Sequence, residues 1–143
     1  MRAANTMLIL AMDLVARQVS SGRCVVCEHP ATATSRATEQ VQIVAGLTGV
    51  RKVTFDQCRY GLTSPSGLPL RKRTTCMTIC SCVAQAFEGK WCQCTVPHRH
   101  IIGAEFGQNL SSWAAHYPPA LCRELALCAQ LRRQHRAARD LTA

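Results

Sequence analysis

Apolar residues crowd positions 6–20 (TMLILAMDLVARQVS), and Asp13, Arg17 and Gln18 group on one side. This pattern predicts a mostly buried helix, with Asn5 or Thr6 as N-cap and Ser20, Ser21 and Gly22 as its stop. Val25 and Val26, bounded by Gly22 and Pro30, predict a strand over 23–28 buried on both faces, as in a parallel sheet. Residues 36–46 read as a second helix, carrying Val41, Ile43 and Val44 and ending at Gly46. Strands follow at 50–57, which alternates, and at 74–80, with a turn-rich link between them. A short helix comes next (SCVAQAFEG), then an irregular Cys/His loop over 89–112. A helix over 118–138 starts on Pro118 and Pro119 and lines up Leu121, Leu125, Cys128 and Leu131. The order predicts one α/β domain over 1–143 whose sheet carries an antiparallel hairpin at one edge.

Composition narrows the class. The 143 residues are 48% apolar, which excludes a wholly disordered polar chain. Aromatic residues are only 5%, which predicts an aliphatic core. The net charge is +9, and Arg71, Lys72, Arg73, Arg132, Arg133 and Arg136 are candidate phosphate contacts for DNA or RNA. A solvated charged surface is the alternative for each. No apolar run approaches membrane-spanning length, so no membrane partner is expected. No good secretory signal precedes the first helix, which places the protein in an intracellular, reducing compartment, nuclear or cytoplasmic. There is no Walker loop, no GxGxxG and no Ser-His-Asp arrangement in recognisable context.

The ten cysteines carry the candidate chemistry. Cys92, Cys94, His98 and His100 fall within nine residues, and thiolate with imidazole is the usual zinc donor set. The predicted ligands are Cys94, His98 and His100, with Cys58 at the end of the second strand as the fourth and Cys92 as the alternative ligand. A set made of Cys92, Cys94, His98 and His100 alone stays open, as does a solvated loop without metal. Cys24 and Cys27 spell CxxC, but residues three apart on a strand point to opposite faces, so they are rejected as a pair. Cys80 and Cys82 sit at a strand-to-helix junction, where convergence is allowed. Glu28, beside His29 at the end of the first strand, is a candidate acid or base. A salt-bridged Glu28 is the plainer account.

Several blocks in order resemble a module in the polyproteins of Copia-type retrotransposons and related mobile elements of protists. They are QVSSGRCVVCEHPATATS (18–35), GVRKVTFDQCRYGL (49–62), PLRKRTTCMT (69–78), the Cys94–His100 cluster followed by IIG, and YPPALCREL (117–125). The likeness covers roughly residues 8–128. The module in turn resembles the second half of a class I methyltransferase-like fold, that of the cytosine-5 DNA methyltransferases. That resemblance implies a partial Rossmann-like sheet and places Glu28 at the position of the glutamate that holds the cytosine edge. Gln57, Arg59 and Arg71 to Arg73 loosely echo the family's Gln-x-Arg-x-Arg element. The chain departs from the pattern at CMTIC, at the additional Cys92 and at Arg36 in place of a tryptophan. The glycine-rich S-adenosylmethionine loop and the Pro-Cys nucleophile are not in this sequence.

These readings imply a fragment of a retrotransposon-derived, methyltransferase-like module, without catalysis alone, which contacts nucleic acid and is tied by zinc. S-adenosylmethionine is not expected on such a fragment, and a sheet lacking half its strands would self-associate through its edge. Three alternatives stand beside it: a stand-alone zinc-binding nucleic-acid-binding protein, half of a nucleic-acid methyltransferase-like enzyme, and a decayed reading frame without function.

Overall fold

A computed structural model of the chain describes residues 2–140, with side chains for 5–135, 137 and 138. The elements are α1 (Arg2–Ser20), β1 (Val26–Pro30), α2 (Glu39–Ala45), β2 (Arg51–Asp56), β3 (Arg73–Thr78), α3 (Ser81–Phe87), the short pair β4 (Ala104–Glu105) and β5 (Gln108–Asn109), α4 (Leu110–Trp113) and α5 (Pro119–Asp140). Asn5 and Thr6 therefore lie inside α1 and do not cap it. Its C-terminus closes where predicted. The Arg23 N–H donates to the Gln18 carbonyl at 2.9 Å and the Gly22 N–H to Val19 at 2.9 Å, with Gly22 at φ +62°.

The class is mixed α/β, but the sheet is antiparallel. β3 lies in the centre and pairs antiparallel with both β1 and β2. The 50–80 hairpin thus supplies the central strand, where the sequence placed it at an edge. β1 is an edge strand, partly exposed, so its short apolar run marks no doubly buried parallel strand. It also runs two residues past the predicted end, through Pro30. An edge strand has no second neighbour that needs the missing N–H, so proline is tolerated there. Glu28 consequently sits in mid-strand.

Alternation along the strands feeds two cores. Val53, Phe55 and Cys76 face Cys80, Val83, Phe87, Leu121 and Cys128 of the α3 and α5 side. Met77 faces Met12, Val15, Val41 and Val44 of α1 and α2. The sheet is therefore covered by helices on both faces. α1 packs one stripe only: Met12 and Val15 are buried, while Met7, Leu10 and Leu14 are exposed, against the expectation of a mostly buried helix. On α5, Leu121 and Cys128 are buried and Leu131 is exposed.

The first core is not purely aliphatic. Phe55 and Phe87 stack at 4.5 Å between centroids, and Tyr60 meets both edge-on at 5.7 Å. Three of the seven aromatic residues are spent in this one cluster, so a low aromatic content does not mean an aromatic-free core. Phe87 is fully buried. Phe87→Ala is expected to cost about 3–5 kcal/mol by denaturant unfolding, through lost burial plus the cavity left between two rings. A cost under about 1 kcal/mol would contradict this packing.

Candidate metal centre

β2 ends at Asp56, and the chain then makes a tight turn over Gln57–Tyr60 that closes on Gly61 at φ +86°, a conformation that favours glycine. The turn holds Cys58 at the rim of the sheet, buried. The loop after α3 comes back to this point. The Asp56 N–H donates to the Lys90 carbonyl at 3.1 Å, and the Cys92 N–H donates to Asp56 Oδ2 at 3.0 Å. Further on, the Arg99 N–H donates to the Pro69 carbonyl at 2.9 Å. The 92–98 segment is thus anchored at one end to Asp56 of β2 and at the other to the link that precedes β3.

The result is a convergence of four donors. One ligand atom from each of Cys58, Cys92, Cys94 and His98 lies within 4.8 Å of the others, so the group could hold a metal ion. His98 Nε2 is 3.2 Å from Cys92 Sγ and 3.4 Å from Cys58 Sγ. Ligands at zinc bond lengths of roughly 2.0–2.3 Å stand about 3.5–3.8 Å apart around a tetrahedron. The donor set, its number and its spacing therefore fit zinc with little movement.

The three thiols shift one another. Burial, followed by contact with the Cys92 and Cys94 thiols, raises the Cys58 thiol above its ordinary range. Burial likewise raises Cys94. The Cys92 thiol is lowered, chiefly by the hydrogen bond it receives from the Cys94 N–H at 3.4 Å. Three thiolates in contact repel one another, and a divalent ion removes that cost.

The structure corrects the ligand set read from the sequence. Cys58, Cys94 and His98 come together, and so does Cys92, the alternative ligand. His100 is exposed and outside the group. The structure turns the His98 ring, and not the His100 ring, toward the three thiols.

Asp56 is the residue the sequence analysis missed. It is fully buried and accepts from Arg73 twice, Nε at 2.9 Å and Nη2 at 3.0 Å, as well as from Cys92. Burial alone would push its carboxyl up, but the Arg73 guanidinium and the Cys92 N–H hold it below the usual range. It fixes the direction from which Cys92 enters the site. The one signal in the sequence was an acid ending an alternating strand, in a chain with only eight acids.

The basic residues divide. Arg71 is exposed, and Arg73 is half-exposed, lying 5.2 Å from the exposed Trp91 ring. Lys72 is turned inward: it donates to the Ala114 carbonyl at 3.1 Å, approaches Glu28 at 3.9 Å and covers the Tyr117 ring. Together they line an open groove of about 580 Å³ with Pro30, Thr32, Ile101 and Ser111. Arg132 and Arg133 lie on α5 outside this lining, with Arg132 reaching the Gly22 carbonyl at 3.4 Å. The side chain of Arg136 lies outside the described residues.

Glu28 accepts from Thr74 Oγ1 at 3.3 Å and lies near the Tyr117 hydroxyl, whose pKa is pushed up to about 12 by burial and by that carboxylate. His29 points to the opposite face of the strand, 3.4 Å from Ser35 Oγ. The two adjacent residues therefore do not form an acid–base pair. Cys24 precedes β1 and is exposed, whereas Cys27 lies within it, packed against the α1 and α2 core.

Among the described residues no helix is long and apolar enough to cross a membrane. Comparison with protein-family models, with curated proteins and with solved structures finds no match.

Proposed function

We propose that this chain is a zinc-binding module that contacts nucleic acid through the groove beside its metal site. The observation that carries the reading is the convergence of Cys58 with Cys92, Cys94 and His98 from segments more than thirty residues apart. A closed set of four protein donors suits a structural ion, which leaves no position open for a substrate. Zinc would tie the 92–98 loop to the end of β2. The same tie sets the groove, because Arg73 and Cys92 share Asp56.

In the groove, Arg71 and Arg73 supply charge, and the exposed Trp91 ring beside Arg73 supplies a face on which a base can stack. Two measurements test this. Purification under reducing conditions should yield about one zinc per chain. Fluorescence anisotropy with DNA and RNA oligonucleotides should show salt-dependent binding, and Arg71→Ala should lower the slope of log K against log salt by about 1. A chain that is purified without zinc and takes up none on titration would sink the zinc reading. A slope unchanged by Arg71→Ala would sink the groove.

A second reading keeps the mobile-element, methyltransferase-like origin. It is supported by the motif order and by β1 and β2 running parallel on either side of β3, under helices on both faces. Calorimetry with S-adenosylmethionine tests the enzyme form of this reading, and no heat is expected from the chain alone.

A further inference from the structure

We propose that Cys80 and Cys82 form a reversible dithiol–disulfide pair, separate from the metal centre. Their sulfurs are 3.0 Å apart. That is inside the roughly 3.5–4.0 Å at which unbonded heavy atoms sit most comfortably. Closing to a disulfide bond of about 2.05 Å asks for about 1 Å of movement. The local backbone allows it. Cys80 is extended (φ −85°, ψ 108°) and Cys82 lies in the first turn of α3, so the chain bends sharply between them. The Cys80 N–H donates to Thr78 Oγ1 at 3.0 Å, which fixes this corner.

Access is graded across the pair. Cys80 is buried in the α3–α5 core, whereas Cys82 is only half-buried, and its thiol donates to the Cys128 carbonyl at 3.4 Å. Cys82 is therefore the sulfur that reagents meet first, and Cys80 is the resolving thiol. The reaction balances with a disulfide or a peroxide as oxidant. The Cys82 thiolate, having lost its proton to solvent, attacks one sulfur of glutathione disulfide and releases one glutathione. Cys80, as thiolate, then attacks Cys82 Sγ and expels the second. Two thiol hydrogens leave, and the oxidant is reduced to two thiols. With hydrogen peroxide, Cys82 becomes a sulfenic acid, and Cys80 displaces water from it.

A ring closed over one intervening residue constrains the unfolded chain very little and bends the native corner. The bond is therefore labile, in the manner of regulatory disulfides. Its formation pulls Cys82 off the Cys128 carbonyl and so acts on the packing of α3 against α5.

The test uses the zinc-loaded full chain in glutathione buffers from fully reduced to fully oxidised, followed by alkylation, tryptic digestion and mass spectrometry. The peptide 74–90 is expected to lose two hydrogens, with no backbone fragments recovered between Cys80 and Cys82. Dithiothreitol should restore it. Cys82→Ser should abolish the loss, and Cys76→Ser, in the same peptide, should leave it intact. Circular dichroism of each variant confirms that it is folded before the assay. Cys82 carrying a stable glutathione adduct in the native chain would overturn the proposal. So would a Cys24–Cys80 bond, or a pair that stays reduced in fully oxidised buffer.

Discussion

Stripping zinc is expected to disorder the 92–98 loop and lower the unfolding midpoint of the whole chain. The loop has little else to hold it: Val96 is exposed, and its bonds to β2 and to the link before β3 lie at its two ends. The rest of the chain has its own cores on both faces of the sheet, so it should keep its helical signal after chelation. This distinguishes it from zinc fingers, which unfold outright without metal. An ion present at about a thousand times its Kd contributes roughly 4 kcal/mol to stability, and this is the shift that thermal unfolding with and without chelator should show. Cys58→Ser, Cys92→Ser and His98→Ala should each weaken zinc by more than about 100-fold, beyond what changes around a ligand cost. His100→Ala should leave affinity unchanged. Equal losses at His98 and His100 would refute the four-donor set seen in the structure.

The second large effect is expected at Arg73. Asp56 is fully buried and, among the described residues, Arg73 is the basic side chain bonded to it, whereas Arg73 itself is half-exposed. The two partners are therefore unequal. Arg73→Ala strands a buried carboxylate on one N–H and should cost about 3–5 kcal/mol at neutral pH. Asp56→Ala leaves a guanidinium that water can still reach, together with one unpaired Cys92 N–H, and should cost less, about 1–3 kcal/mol. The double variant should be less unstable than Arg73→Ala alone. The pH dependence has a definite sign. The folded-state pKa of Asp56 is lowered, so its contribution is complete above the unfolded value of about 3.9 and is lost as pH falls through the folded value. In Arg73→Ala the stranded carboxyl gains a proton more readily, so the gap between variant and parent should narrow in acid. Urea unfolding across this range measures it. A gap that widens in acid would contradict the assignment.

How far the sequence reached can be judged residue by residue. Periodicity located α1, β2, β3, α3 and α5, because burial of one face is written locally in every second or every third to fourth residue. Which strand pairs with which is not local. The run CVVCEHP is compatible with a doubly buried strand and with an edge strand, and only the return of β3 between β1 and β2 chose the edge. The metal centre shows the same division. Residue type and spacing singled out Cys92, Cys94, His98 and His100, and strand-end logic added Cys58. The choice between His98 and His100 depended on which imidazole the packed loop turns toward Cys58, a contact across 40 positions.

By itself, then, the sequence determined a basic α/β chain with a thiol- and imidazole-rich loop. Tertiary structure decided the antiparallel order of the sheet, the entry of Cys92 and the exclusion of His100. It also buried Asp56 beneath Arg73 and brought the Cys80 and Cys82 sulfurs together. The physical reason is common to all of these. Patterns along the chain report the environment of a residue's own segment, whereas ligand sets and buried ion pairs depend on distances between segments, which only the packed fold sets.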